Sequence, residues 1–213
     1  MYHSSWTRAR VRGAQGFRVT LPIFLALIVG WLVSGGIAPT AGQGGRVAPP
    51  SPTCTAGTRA TPAQTEGPYY KSGSPQRTAL TEPKSAAPKL IVTGYVLSRS
   101  DCRPVSRAWL DFWQADERGN YDNVGYRMRG FQFTDNAGIY YLETVLPGLY
   151  PGRTRHIHVK VRAPNGPTLT TQLYFPGEQR NQTDGIFNSA LLTTVRDGAG
   201  GKVATFTFIV DLR

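Results

Sequence analysis

Cysteine and histidine are scarce in this sequence, with 2 and 3 copies among 213 residues, and charged side chains make up only 17% of it. So few thiols exclude a zinc site built from thiolates and any scaffold stapled by several disulfides. The low charged fraction, beside 40% hydrophobic residues, excludes a disordered polyelectrolyte. Acidic residues are the rarer sign, 13 against 24 basic ones. The basic excess forms no stripe along one helix and no pattern interleaved with aromatics, so nucleic acid is not an expected partner. It suits solubility and the attraction of small anions instead.

Turn chemistry is plentiful. The 24 glycines and 16 prolines predict short segments broken by turns, and hence a β fold. The length fits one domain of roughly 100 to 200 residues plus a leader. Residues 1–45 read as that leader: arginines up to Arg18 precede the apolar run Leu21 to Val33, and small residues follow from Ser34 to Gly45, the order of a signal peptide. The run lacks the polar face of a buried helix. A cleaved signal, with Thr40-Ala41-Gly42 as the best cleavage region, and an uncleaved anchor over residues 19–38 both stay open. Either way the chain is expected to be exported, as a secreted, periplasmic or cell-surface protein, or to be tethered to the membrane by that segment alone. Export to an oxidising compartment favours a disulfide between Cys54 and Cys102, with two unpaired thiols as the alternative.

Residues 46–64 read as a Pro/Gly-rich linker and 65–213 as the folded domain. Beyond Lys89, β-type segments recur at Leu90 to Leu97, Ala108 to Gln114, Gly138 to Val145, His156 to Arg162, Thr170 to Tyr174 and Val203 to Asp211. Turns such as Asp135-Asn136-Ala137-Gly138 and Pro147-Gly148 separate them, which predicts an all-β, antiparallel sandwich with long loops and little helix. The last segment is expected as one strand, with Ala204, Phe206, Phe208, Val210 and Leu212 on one face. Asn181 to Leu192 is the longest loop, with room for a short helix.

The sharpest local pattern is Arg155-His156-Ile157-His158-Val159-Lys160-Val161. Period-two geometry sends Ile157, Val159 and Val161 to one face and both imidazoles to the other, where they can share a metal. The third histidine, His3, lies in the leader. Carboxylates are poorly placed in sequence to complete such a site: Glu143 sits on another strand, and Glu178 and Asp184 in a following loop. Tyrosine is abundant, with 10 copies. A phenol of ordinary pKa near 10 binds only where a strongly Lewis-acidic ion displaces its proton. The residues alone therefore reach two histidines, tyrosine and a hard metal.

A series of motifs then resembles the intradiol ring-cleavage dioxygenases, the family of protocatechuate 3,4-dioxygenase and catechol 1,2-dioxygenase, in a short secreted form. In order they are Thr65-Glu66-Gly67-Pro68-Tyr69-Tyr70, Cys102-Arg103-Pro104-Val105, Leu110-Asp111-Phe112-Trp113-Gln114-Ala115-Asp116, Gly119-Asn120-Tyr121, Arg129-Gly130, Thr134-Asp135 and Gly138-Ile139-Tyr140. Pro147-Gly148-Leu149-Tyr150-Pro151, His156-Ile157-His158 and Gln172-Leu173-Tyr174-Phe175 complete the series. The resemblance implies non-haem Fe(III) held by Tyr121, Tyr150, His156 and His158, with Tyr150 as the axial ligand. It implies substrate contacts from Gly67, Pro68, Tyr69, Arg153 and Gln172, and catalytic roles for Arg153, Tyr150 and Gln172. Arg155 competes with Arg153, because the gap from Tyr150 to His156 is short. The implied reaction opens a catechol with O2 between its two hydroxylated carbons to give a cis,cis-muconate. Two other readings stand beside it: an exported β-sandwich binding module without catalysis, and a copper or zinc enzyme built on the histidine pair. Homo-oligomerisation stays open.

Overall fold

The computed structural model describes residues 47–55, 57–81 and 86–213. The expected signal or anchor segment lies outside them. Among the described residues there are nine strands: β1 (Lys89–Ser98), β2 (Trp109–Trp113), β3 (Arg129–Phe133), β4 (Ile139–Val145), β5 (His156–Arg162), β6 (Thr168–Tyr174), β7 (Thr194–Gly198), β8 (Gly201–Thr205) and β9 (Phe208–Val210). One sheet has the order β4-β1-β8-β7, with β9 also on β1, and the other the order β3-β2-β5-β6. The inner face of the first sheet contributes Leu90, Val92 and Leu142 to the core, and that of the second Leu110, Phe112, Ile157, Val159 and Val161. Each such side chain adds about 1.5–3 kcal/mol by leaving water. Helix is confined, among the described residues, to two short 3-10 turns, Gln179–Gln182 and Ser189–Leu191. They lie at or inside the loop where a short helix is expected.

The sandwich departs from the sequence reading in three places. The first sheet is mixed, because β1 runs parallel to both β8 and β9. Parallel neighbours need a long crossover, and here the chain between them builds the whole second sheet. The segment expected as one strand from Val203 to Asp211 is two strands. Between them the Phe206 carbonyl accepts a 2.9 Å hydrogen bond from the Tyr140 hydroxyl and lies so near Gly94 that a Cβ there would sit 1.8 Å from it. The face alternation survives the break as far as Val210, but Leu212 falls beyond β9 and is exposed. Two strands also escape the pattern. β3 carries Gly130, where a Cβ would press on Arg77 and Leu80, and β7 is an edge strand of mostly exposed residues.

The segment expected as a linker runs along the sandwich. Cys54 is bonded to Cys102. Thr61 exchanges hydrogen bonds with Ile209, at 2.9 Å from its amide and 2.8 Å to its hydroxyl oxygen. The Gln64 amide donates to Thr170 and the Arg77 amide to Phe131, at 2.8 and 2.9 Å. Thr61 is thereby tied to β9 of the first sheet, and residues 64–77 are laid across the outer face of the second. Closing a 48-residue separation by the disulfide removes unfolded-state freedom that stabilises the fold by about 4 kcal/mol. A Cys54→Ser, Cys102→Ser protein is expected to lose about that much in denaturant titration. Full retention would mean that the hydrogen bonds of the arm suffice.

Candidate metal centre

Strand register builds the site as rows of side chains across the second sheet. His158 lies opposite Trp113 on β2 and Gln172 on β6, and Trp113 lies opposite Arg129 on β3. His156, one row further, faces Tyr174. Both histidines are buried, at 2% and 1% exposure, on the face away from the core, as the period-two reading requires. Their Nε2 atoms stand 3.1 Å apart. The Nδ1 of His156 donates to the Thr154 carbonyl at 2.7 Å, which leaves its Nε2 lone pair free to bind a metal. The His158 ring stacks on Trp113, with centroids 4.8 Å apart and planes 8° from parallel.

The two tyrosines arrive from loops that are pressed together. Tyr121 follows a turn in which the Asp116 carboxylate accepts from the Arg118 and Asn120 amides. The Asp116 carbonyl accepts from both Gly119 and Gly148. A Cβ on Gly148 would meet the Gly119 nitrogen at 2.1 Å, and one on Gly119 would meet the Leu149 oxygen at 2.3 Å. Only glycines permit this approach, which sets Tyr121 and Tyr150 with ring centroids 5.8 Å apart. The Tyr121 hydroxyl lies 3.5 Å from His156 Nε2, and the Tyr150 ring lies 5.7 Å from that of His156.

Arg153 closes the cluster. Its guanidinium donates to the Tyr150 hydroxyl at 3.4 Å, to Gln172 Oε1 at 2.7 Å and to Asp184 Oδ2 at 2.9 Å. Arg155 turns elsewhere, to the Pro147 carbonyl and an ion pair with Glu178. Gln172 is fixed from its other end by donating to the Thr65 carbonyl at 3.0 Å. Asp184 also accepts from the Thr154 amide at 2.9 Å, so one carboxylate orients both Arg153 and the residue that holds His156. Burial alone would raise the Asp184 carboxyl, but the Thr154 amide and Arg153 hold it below its ordinary value. Sequence weighs Asp184 only as a metal ligand; its actual partners are the Arg153 guanidinium and the amides of Thr154 and Ile186. Nothing local in the sequence signals that role, because 30 residues separate it from Thr154.

The arm supplies the remaining expected residues. Gly67, at φ +71°, lies so close to the His158 ring that an added Cβ would touch Cε1 at 3.4 Å. Tyr69 stacks on Tyr121 at 4.4 Å, and Pro68 is exposed beside it. Arg129 is 1% exposed; its guanidinium donates to the Asp122 carbonyl, and its second terminal nitrogen has no partner among the described residues.

Burial, then the charge of Arg153, push His156 down to about 4; burial and then His156 push His158 well below its ordinary value. Burial, then the neighbouring Tyr150, raise the Tyr121 phenol. The site thus presents neutral imidazoles and a phenol that gives up its proton only to a strong Lewis acid. For a histidine whose folded value is depressed, the unfolded chain takes the proton first. Stability is complete above about pH 6.5 and is lost as the pH falls toward 4. Metal-free protein is expected to lose on the order of 3 kcal/mol over that window through His156 alone, read from denaturant midpoints against pH. A flat profile would mean that His156 is not buried in neutral form.

Comparison with known proteins adds a lineage. A family model described as Dioxygenase matches residues 65–209. The solved dioxygenase domain of a dioxygenase carbohydrate-binding protein fusion from Streptomyces sp. SirexAA-E is 53% identical, covers 73% of this chain and 100% of its own, and superposes with a TM-score of 0.70. A chlorocatechol 1,2-dioxygenase from Pseudomonas sp. (strain P51) is 25% identical over 182 residues, 72% of each chain. The protocatechuate 3,4-dioxygenase beta chain of Burkholderia cepacia is 32% identical over 117 residues, 46% of this chain and 49% of its own, so the match spans about half of that relative.

Proposed function

The chain belongs to the intradiol ring-cleavage dioxygenase family, and on that premise we propose that it opens the ring of a catechol with O2, using ferric iron held by Tyr121, Tyr150, His156 and His158. The observation that carries this reading is the meeting of two neutral imidazole Nε2 atoms, 3.1 Å apart, with the Tyr121 hydroxyl 3.5 Å from one of them. The donor set fits the ion: two phenolates offset most of a trivalent charge, and the imidazoles complete the set without adding to it. A copper or zinc site on the histidine pair would be completed by a carboxylate or water, and here Asp184 is already engaged by Arg153 and Thr154 while two tyrosines stand beside the histidines.

Bound ferric iron would supply the Lewis acidity that binds a catecholate and makes it reactive toward O2. The protein does the rest. The Tyr150 oxygen takes a catechol proton as the substrate arrives. Arg153, already aimed at that oxygen and at Gln172, offsets the negative charge that develops on the ring oxygens. Tyr69, stacked on Tyr121, gives the flat substrate an aromatic wall. Cleavage between the two hydroxylated carbons places both atoms of O2 in the product, a cis,cis-muconate. We further propose that residues 1–45 export or anchor the enzyme; the Cys54–Cys102 bond supports an oxidising compartment.

The test is a visible spectrum of the purified protein before and after anaerobic catechol and protocatechuate. A red-brown tyrosinate-to-iron band that shifts with a catechol is expected. A protein that stays colourless after ferric reconstitution would remove the proposal.

A further inference from the structure

The outer face of the second sheet carries another built feature at the far end of the same strands. Register sets Phe133, Trp109 and Arg162 side by side across β3, β2 and β5, four residues along each strand from Arg129, Trp113 and His158, or about 13 Å. The row between is covered by the arm. The Tyr70 hydroxyl donates to Asp111 at 3.3 Å, and Lys160 pairs with Glu66 and sits 3.8 Å from the Tyr70 ring centroid. The far row therefore opens as its own cleft of about 610 Å³, lined by Arg107, Trp109, Phe133, Arg162 and the turn that follows Arg162.

Its chemistry is specific. Arg107 lies over Phe133 and Arg162 over Trp109, each guanidinium 5.2 Å from the ring centroid. Both arginines are exposed, and neither has a carboxylate partner among the described residues. A guanidinium presents parallel N–H donors that match a carboxylate in two bonds, and, seated over an aromatic ring as here, its own planar face is a surface on which a flat ligand ring stacks. A neutral sugar would leave both cations without a counter-charge, and an inorganic anion would leave the flat faces of the seated guanidinium groups uncovered. The volume is that of a small-molecule site.

We propose that this cleft binds a carboxylated aromatic compound, at a site separate from the metal centre. No lining side chain is a nucleophile or general base, so the cleft holds its ligand without transforming it. The inference uses no feature of the ring-cleavage reading.

The probe is 4-hydroxycinnamate, an aromatic acid with no adjacent pair of hydroxyls, titrated calorimetrically into the full chain. Saturable binding is expected that survives Arg153→Gln and weakens about tenfold or more in an Arg107→Gln, Arg162→Gln protein, with the matching neutral alcohol weaker by a similar factor. Both arginines are exposed, so this double variant keeps the fold, and Trp109→Ala is expected to weaken binding independently. The proposal is overturned if the native chain shows no saturable binding or if acid and alcohol bind equally. It is equally overturned if Arg153→Gln abolishes binding while the double variant keeps it, because the ligand then sits in the tyrosine and histidine cluster.

Discussion

Replacing His156 by alanine is expected to yield a folded but colourless protein with substoichiometric iron and no measurable ring cleavage. The imidazole is held on three sides. Its Nδ1 is committed to the Thr154 carbonyl at 2.7 Å, its ring is buried, and its Nε2 meets both His158 and the Tyr121 hydroxyl. Loss of an outer partner of a metal-binding histidine typically costs about 10- to 100-fold in metal affinity or activity, and loss of the imidazole itself exceeds that. His158→Ala tests the same site from the other ring, so a folding defect peculiar to one variant does not decide the matter. Iron per chain by elemental analysis and turnover of catechol are the measurements. Full iron and colour in both variants would overturn the ligand set.

Arg153→Ala is expected to separate catalysis from metal binding: turnover falls by about 10²- to 10³-fold, as for loss of one preorganised donor to a developing anion, while iron content stays near that of the native protein. The guanidinium touches Tyr150, Gln172 and Tyr174 but no histidine. Asp184→Asn is expected to give a smaller loss of the same kind, because the neutral amide still accepts from Arg153 and Thr154 but no longer pairs with the guanidinium charge. Iron lost from Arg153→Ala at normal turnover per remaining iron would instead make Arg153 a structural support of the site.

Legibility in the sequence tracks how local each cause is. The face on which His156 and His158 stand follows from the two-residue period of a strand, and β5 begins and ends where that pattern does. Gly119 and Gly148 appear in the sequence only as turn glycines. Their use lies in the contact of two loops, where the backbone of one would collide with a Cβ of the other. β3 was hidden because Arg129 and Gly130 spoil its apolar pattern, although Gly130 is needed to admit Arg77 and Leu80 against the sheet. The break at Phe206 leaves no trace in the alternation, since it preserves which face each side chain takes.

By itself, then, the sequence determined the two-sheet β class, the strand that carries the histidine pair and the candidates for one disulfide, consequences of local periodicity, turn chemistry and residue type, while its order of motifs carried the resemblance to the family. Tertiary structure alone decided which of Arg153 and Arg155 faces Tyr150, that Asp184 orients Arg153 and Thr154, that β1 is flanked by parallel strands, and that Trp109, Phe133, Arg107 and Arg162 share a cleft. Each of these depends on pairings between residues tens of positions apart. Register and loop closure fix such pairings only when the whole chain has collapsed around one core.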